Sequence, residues 1–289
     1  MHFKCLINAS FKNNPGLKNS KFLSLSSKEI CKDMKNNISK LIDKLTKKSK
    51  TQKIQFTDIA VELEEVDVEL IRLILDKKYT MTSPQRLINT LKSCQYVIEN
   101  NVPGDFVECG VWRGGNGILA KKVFEYLGSK KNVWMFDTFQ GMTAPTNIDI
   151  AAKTKLSAES HFLESQKETH NEWCYASLED VQKNCSDTGI DIASLKFIKG
   201  DVCETLKEPD NVPDQISVLR LDTDWYESTK RELEILYPKL SNKGVLIIDD
   251  YGHWEGARKA VDEYFSSQKY KPLFNVIDRT GRSAIKFES

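Results

Sequence analysis

The residues best suited to chemistry stand in two acid pairs. "LRLDTDWYES" (219–228) ends an apolar run in Asp222 and Asp224, and "LIIDDYGHW" (246–254) ends another in Asp249 and Asp250. Aspartates at the lip of a buried strand can simply cap the next turn or helix: Asp224 with Glu227 has the spacing of a helix cap, and Asp249 or Asp250 could cap its own turn. Four carboxylates at adjacent strand ends would repel one another unless something positive sits among them. A hard divalent cation such as Mg2+ meets that need, because it takes oxygen ligands and keeps positions open for water or substrate. His253, three residues beyond the second pair, is a candidate base, a substrate contact or a structural histidine.

A second constellation suits a nucleoside. In "ECGVWRGGNG" (108–117), Gly110, Gly114 and Gly115 let the backbone pass close to a ligand, and Glu108 sits within the strand end. A dinucleotide fingerprint on Gly115, Gly117 and Ala120 starts too late after the strand to be convincing. Asp137, in "MFDTFQGM" (135–142), is placed to accept hydrogen bonds from the vicinal hydroxyls of a ribose. Asp201, after "FIKG", is a softer candidate for the adenine end. Trp112, Trp225 and Trp254 could each face a sugar ring or pack in the core.

These residues need a scaffold that gathers strand ends, and the chain supplies one after residue 100. "DFVEC" (105–109), "NVWMFD" (132–137), "LKFIKG" (195–200), "ISVLRLD" (216–222) and "GVLIID" (244–249) read as short buried strands. Helix-length segments lie between several of them, for example Asn116–Tyr126 and Tyr226–Leu240. The alternation predicts an α/β fold, a mostly parallel sheet with helices on both faces and ligands beyond the carboxyl ends of the strands. "PLFNVID" and "RSAIKFE", joined by "RTG", predict a hairpin at the sheet's edge. The polar stretch Ala144–Ser194 reads as a partly helical insertion serving as lid or substrate wall.

Upstream of residue 80 the pattern is helical. Ser26 and Glu29 form a capping box ahead of Ile30, Met34, Ile38, Leu41, Ile42 and Leu45, and a second helix is predicted over Thr57–Leu75. The lysine-rich stretch Lys28–Lys53 suits either contact with an acidic membrane or partner or, as the plainer reading, the solvated face of a helix packed on the main domain or on a dimer mate; a homodimer is expected.

Composition sets the outer bounds. The 289 residues are 40% apolar and 29% charged, enough for one large domain with an extension, and a net charge of +1 gives no sign of a nucleic-acid partner. No apolar run approaches the ~18 residues of a membrane span, and "MHFKCLINASFKNN" does not read as a secretory signal. Seven cysteines without CxxC or CxxH spacing argue against a disulfide framework or a zinc site, so a cytoplasmic location is expected.

Taken in order, "YTMTSPQRL" (79–87), "ECGVWRGG", "DTFQGM", "LRLDTDWYEST", "LYPKLSNKGVLIIDDYGHWEGARKAVDEYF" and "VIDRTGRSAIK" resemble the macrocin O-methyltransferase family. The resemblance covers about residues 79–287 and leaves residues 1 to about 75 outside. It implies a Rossmann-like class I methyltransferase fold with an antiparallel last strand, and an N-terminal helical extension (1–78) ahead of an S-adenosylmethionine-dependent domain (79–289). It also implies a transferase that moves a methyl group from S-adenosylmethionine to a hydroxyl of a sugar or glycoside with the help of Mg2+. By position it implies Asp222, Asp249 and Asp250 as metal ligands and Asp224 as general base, with His253 as the alternative. Glu108, Gly110 and Asp137 match cofactor positions, which Gly114 and Asp201 complete, and Thr80, Met81 and Ser83 match a segment that closes over the cofactor. Thr223 replaces the usual glycine inside D-x-D, and Thr143 stands where proline commonly follows "DTFQGM". Two other functions fit the same residues: methylation of a catechol-like or other vicinal diol, and a non-catalytic nucleoside-binding module.

Overall fold

Helix starts follow local chemistry. In the computed structural model, which describes residues 60–287, the first helix, α1 (Glu65–Asp76), begins where the Asp67 carboxylate accepts the Glu64 N–H at 3.1 Å. It starts later than the predicted Thr57, because residues 60–64 form a turn and an extended entry. The lysine-rich helix predicted from Ser26 lies outside the described residues. In α2 (Pro84–Glu99), Ser83 caps the first turn, Pro84 takes a position where its missing N–H costs nothing, and Leu87, Leu91, Cys94 and Val97 form one buried stripe. The helix packs on α1 and on α3 (Gly115–Tyr126).

Seven strands form one sheet. They are β1 (Asp105–Cys109), β2 (Val133–Asp137), β3 (Leu195–Lys199), β4 (Ile216–Leu221), β5 (Leu240–Ile248), β6 (Asn275–Val276) and β7 (Arg282–Ile285), in the order β3-β2-β1-β4-β5-β7-β6. The first five run parallel; β7 runs antiparallel to β5, and β6 flanks it at the edge, as the hairpin pattern predicts. The helix α7 (Tyr226–Ile235) ends short of the predicted Leu240. Pro238 has no N–H to give and disfavours helical geometry before it, so a short 3-10 turn follows and β5 starts at Leu240, ahead of Gly244. Leu219 and Leu221 of β4, Leu233 of α7, and Val261 and Phe265 of α8 (Glu255–Ser266) pack in one core.

The chain runs outward from β1 through β2 to β3, then returns to place β4 and β5 on the other side of β1. The crevice therefore opens beyond the ends of β1 and β4, where the strand order reverses and the connections leave to opposite sides, the position at which open α/β sheets bind ligands. The Asp222 N–H donates to the Cys109 carbonyl at 2.8 Å, holding the two strand ends together. The polar insertion is partly helical, with α4 (Glu159–Ser165) and α5 (Leu178–Asp187) ahead of β3, and the short helix α6 (Val202–Thr205) follows that strand. The insertion is stitched to the β5–α8 turn by Ala152 N–H to the His253 carbonyl and Glu255 N–H to the Ile150 carbonyl. No helix among the described residues is long and apolar enough to cross a membrane.

Candidate active site

A cleft opens at the carboxyl ends of β1, β2, β3 and β4. Met81, Gly110, Asp137, Asp201, Asp222 and Asp224 of the predicted residues line it, together with Trp112, Thr143 and Cys174. Gly110 has φ +82 and lies so close to the Asp222 carbonyl that a β-carbon there would collide with it. The glycine thus lets β1 and β4 come together beneath the acids.

The capping alternative does not hold for Asp224. The N-terminus of α7 is served by Asp149 of the insertion, which accepts the Tyr226 N–H at 2.9 Å. Asp224 instead adopts φ +70, in the left-handed region, and accepts the Trp254 indole N–H at 2.7 Å. Burial, and then the Asp222 charge, push its carboxyl up to about 8. No capping hydrogen bond from Asp249 or Asp250 serves α8, whose N-cap is Trp254.

Asp222, Asp249 and Asp250 converge. One carboxylate oxygen from each lies within 4.8 Å of the others, and the second oxygen of Asp250 is buried without a hydrogen-bond partner. Three hard oxygen donors and an orphaned anionic oxygen fit a divalent cation. The repulsion between these acids is relieved in part by two arginines that the sequence motifs do not single out. Arg220, fully buried in β4, donates from Nη1 to Glu108 at 2.9 Å and to Asp222 at 2.6 Å, and from Nη2 to Asp249. Arg86 of α2 reaches the other oxygen of Asp249 and is held by Asp278, whose Oδ2 accepts its Nε–H at 2.9 Å. Four carboxylates, Glu108, Asp222, Asp249 and Asp278, thus meet two guanidinium groups, and burial raises the carboxyls of Asp222, Asp249 and Asp250. Removing one buried partner of such a network costs about 3–5 kcal/mol, because it strands the other charge.

Several predicted residues sit elsewhere. Glu108 does not line the cleft; it is fully buried against Arg220, and burial pushes its carboxyl up to about 8. Ser83 caps α2 and donates to Asp278 at 2.9 Å, and Thr80 packs over Gly115, where a β-carbon would meet the Tyr79 carbonyl at 2.6 Å. Gly114, at φ +85, is the N-cap of α3. Asp201 lines the cleft and also caps α6 through the Cys203 N–H at 2.8 Å. His253 is exposed, outside the cleft lining, with its ring against Trp254 and its imidazole kept neutral more readily by its partly desolvated surroundings and by Arg279. Trp225 and Trp254 pack with Trp173 at centroid distances of 4.9–6.0 Å, which settles them in the core; Trp112 faces the cleft.

Asp137 has a double role in the geometry. One oxygen accepts the Val111 and Trp112 N–H groups at 2.8 and 3.0 Å, and the other accepts the Phe139 N–H at 2.7 Å. It therefore fixes the glycine turn as well as presenting a carboxylate to the cleft.

Glu232 of α7 is a buried acid that carried no sequence signal. Thr223 Oγ1 donates to it at 2.8 Å, and burial pushes its carboxyl up to about 8. Between an unfolded value of about 4.3 and that value, the folded chain holds a proton that the unfolded chain releases. Its favourable contribution is then complete below the lower value and is lost as pH rises toward 8. The thermal midpoint of the parent protein should fall, relative to Glu232→Gln, between about pH 5 and 8. Calorimetric scans giving both proteins the same pH dependence would show Glu232 to be ionised in the fold.

A parallel sheet with this strand order, its antiparallel final hairpin and an acid-lined crevice beyond the ends of β1 and β4 define a class I, Rossmann-like methyltransferase. The chain is 35% identical over 206 residues to the 8-demethyl-8-(2,3-dimethoxy-alpha-L-rhamnosyl)-tetracenomycin-C 4'-O-methyltransferase of Streptomyces olivaceus, covering 70% of this chain and 74% of the relative. It is 35% identical over 204 residues to the demethyldecarbamoylnovobiocin O-methyltransferase of Streptomyces niveus, with the same coverage. The solved structure of the O-methyltransferase NovP superposes with a TM-score of 0.64 at 33% identity, covering 73% of this chain and 83% of that one. The protein belongs to the macrocin-O-methyltransferase (TylF) family, which it matches over residues 21–284. Residues 1 to about 75 are expected to fall outside the resemblance, yet the family match takes in this stretch from residue 21 onward. The stretch carries no distinctive motif by which to notice this. Family membership sets aside the non-catalytic alternative.

Proposed function

We propose that this protein transfers a methyl group from S-adenosylmethionine to a hydroxyl of a sugar or glycoside with the help of Mg2+. The observation that carries it is the convergence of Asp222, Asp249 and Asp250 beside Asp224, at a cleft floored by Gly110 and Asp137. The named relatives act on a rhamnosylated tetracenomycin and a novobiocin precursor, which supports a glycoside acceptor. Asp222, Asp249 and Asp250 would hold the cation, and when bound it would acidify an acceptor hydroxyl. Asp224, fixed through Oδ1 by Trp254, would take the hydroxyl proton at its other carboxylate oxygen. Asp137 and the glycine turn would hold the ribose and so aim the sulfonium methyl at that hydroxyl. Cys174 of the insertion and Thr143, just ahead of it, would wall the acceptor side of the cleft.

The division into an N-terminal extension (1–78) and a methyltransferase domain (79–289), and a homodimeric, cytoplasmic protein, belong to the same proposal. Cys94, Cys109, Cys174, Cys185 and Cys203 are all free, which suits a reducing compartment. Incubation with S-adenosylmethionine, Mg2+ and a panel of sugars, nucleotide sugars and glycosides, read by mass spectrometry, tests the activity. Methylation of a sugar hydroxyl is expected, and methylation of catechols alone would overturn the sugar assignment.

The cofactor assignment has its own test. Asp137→Ala should weaken S-adenosylmethionine binding by roughly 2–4 kcal/mol, since ribose loses a charged acceptor and the turn loses the acceptor of three backbone N–H groups. Calorimetric titration showing unchanged affinity in the folded variant would remove Asp137 from the cofactor site.

A further inference from the structure

Thr223, standing where glycine is usual between the two aspartates, lines the cleft beside them, and its hydroxyl donates to Glu232 Oε1 of α7 at 2.8 Å. Glu232 is completely buried, its second oxygen has no hydrogen-bond partner, and the Cys109 thiol lies beside it. A carboxyl group so enclosed is unfavourable unless it is paired, and an apolar side chain would fill the same space without that cost. Removing Thr223 would leave the buried Glu232 carboxyl without its partner, and removing Glu232 would leave the Thr223 hydroxyl without its acceptor.

The pair sits at the middle of the turn that carries the chemistry. The Thr223 carbonyl accepts the Trp225 N–H at 2.8 Å and the Ser228 hydroxyl at 3.3 Å, so the residue is pinned through its main chain from α7 and through its side chain from below. On one side Asp222 continues the pairing with β1; on the other Asp224 is held at φ +70. An aspartate in that region is disfavoured unless its surroundings over-determine it. A threonine, stiff at χ1, transmits its anchor to the backbone more firmly than a longer side chain would.

We propose that Thr223 and Glu232 form a positioning pair that holds the Asp222–Thr223–Asp224 turn, and through it aims the Asp224 carboxylate at the acceptor hydroxyl. The proposal rests on Asp224 being the base, but the mechanical link from the pair to Asp224 is measurable without turnover. In the full chain, the indole N–H resonance of Trp254, assigned by its loss in Trp254→Phe, reports the Trp254–Asp224 hydrogen bond. It should move in Thr223→Val and in Glu232→Leu, and return toward the parent position in Glu232→Gln, which keeps an acceptor for the hydroxyl. Thermal unfolding of the two single variants and of the double variant should show strong coupling, with the double more stable than either single because no buried polar group is stranded. With the acceptor found by screening, both singles should lose about 10- to 100-fold in kcat at nearly constant KM, the scale of a misplaced catalytic group. In the double variant kcat should stay low although stability recovers, a split that a merely structural role would not give. An unmoved indole resonance, additive stabilities, or kcat that recovers with stability would each overturn the pair's positioning role. If Asp224→Asn keeps full activity while the indole resonance still moves, it is the base assignment that fails, and the pair positions the turn for another purpose.

Discussion

Asp224→Asn is expected to lower kcat by about 10²–10⁴-fold while leaving metal binding intact. Asparagine tolerates the left-handed conformation at φ +70, and its amide oxygen can still accept the Trp254 indole N–H, so the turn should keep its shape. What is lost is the oxygen that takes a proton. Burial, and then the Asp222 charge, raise this carboxyl above the usual range, which makes its ionised form a stronger proton acceptor than an exposed aspartate. Raising the Mg2+ concentration should not restore the rate.

Asp222→Asn should fail in the opposite way. It removes one negative charge from the three converging carboxylates, so affinity for Mg2+ should fall by about 10²-fold, and saturating Mg2+ should recover part of the activity. Arg220 keeps an acceptor at that position, because the asparagine amide oxygen can replace the carboxylate oxygen now 2.6 Å from Nη1. Metal titrations by calorimetry and rates against Mg2+ concentration, run on both variants together, separate ligand from base. Should Asp224→Asn lose metal affinity as severely and be rescued by Mg2+, Asp224 is a ligand, and His253 becomes the first candidate for the base.

The sheet was legible because its central strands are buried on both faces, so "DFVEC" and "ISVLRL" appear as short uninterrupted apolar runs broken only by the acid or base they bury. The acid pairs were legible because both end such runs. Arg220 left a trace, a charge within an otherwise apolar strand, and the strand geometry explains it: the side chain runs beneath the cleft to Glu108, Asp222 and Asp249. Arg86 and Glu232 left none. Arg86 meets a carboxylate 163 positions away, a pairing that exists only once α2 has packed beside β5. Glu232 sits on a helix with many other charges, and only its fixed place under Thr223 distinguishes it from a solvated residue. Glu108 was misplaced for the related reason that a strand-end acid looks the same in sequence whether it meets a ligand or a buried arginine. Helix limits erred where a short signal overrode periodicity, at Pro238 and at the Glu64 cap.

The most direct measurement is methyl transfer to a sugar acceptor from S-adenosylmethionine by protein freed of metal with a chelator, followed by mass spectrometry before and after Mg2+ is returned in excess. Methylated sugar should be absent, or reduced by orders of magnitude, in the chelated sample and should appear when Mg2+ is restored, with Asp222→Asn needing more of it than the parent. Equal yields of methylated sugar with and without metal, from a sample shown to be metal-free, would contradict a cation held by Asp222, Asp249 and Asp250 as part of the catalytic machinery.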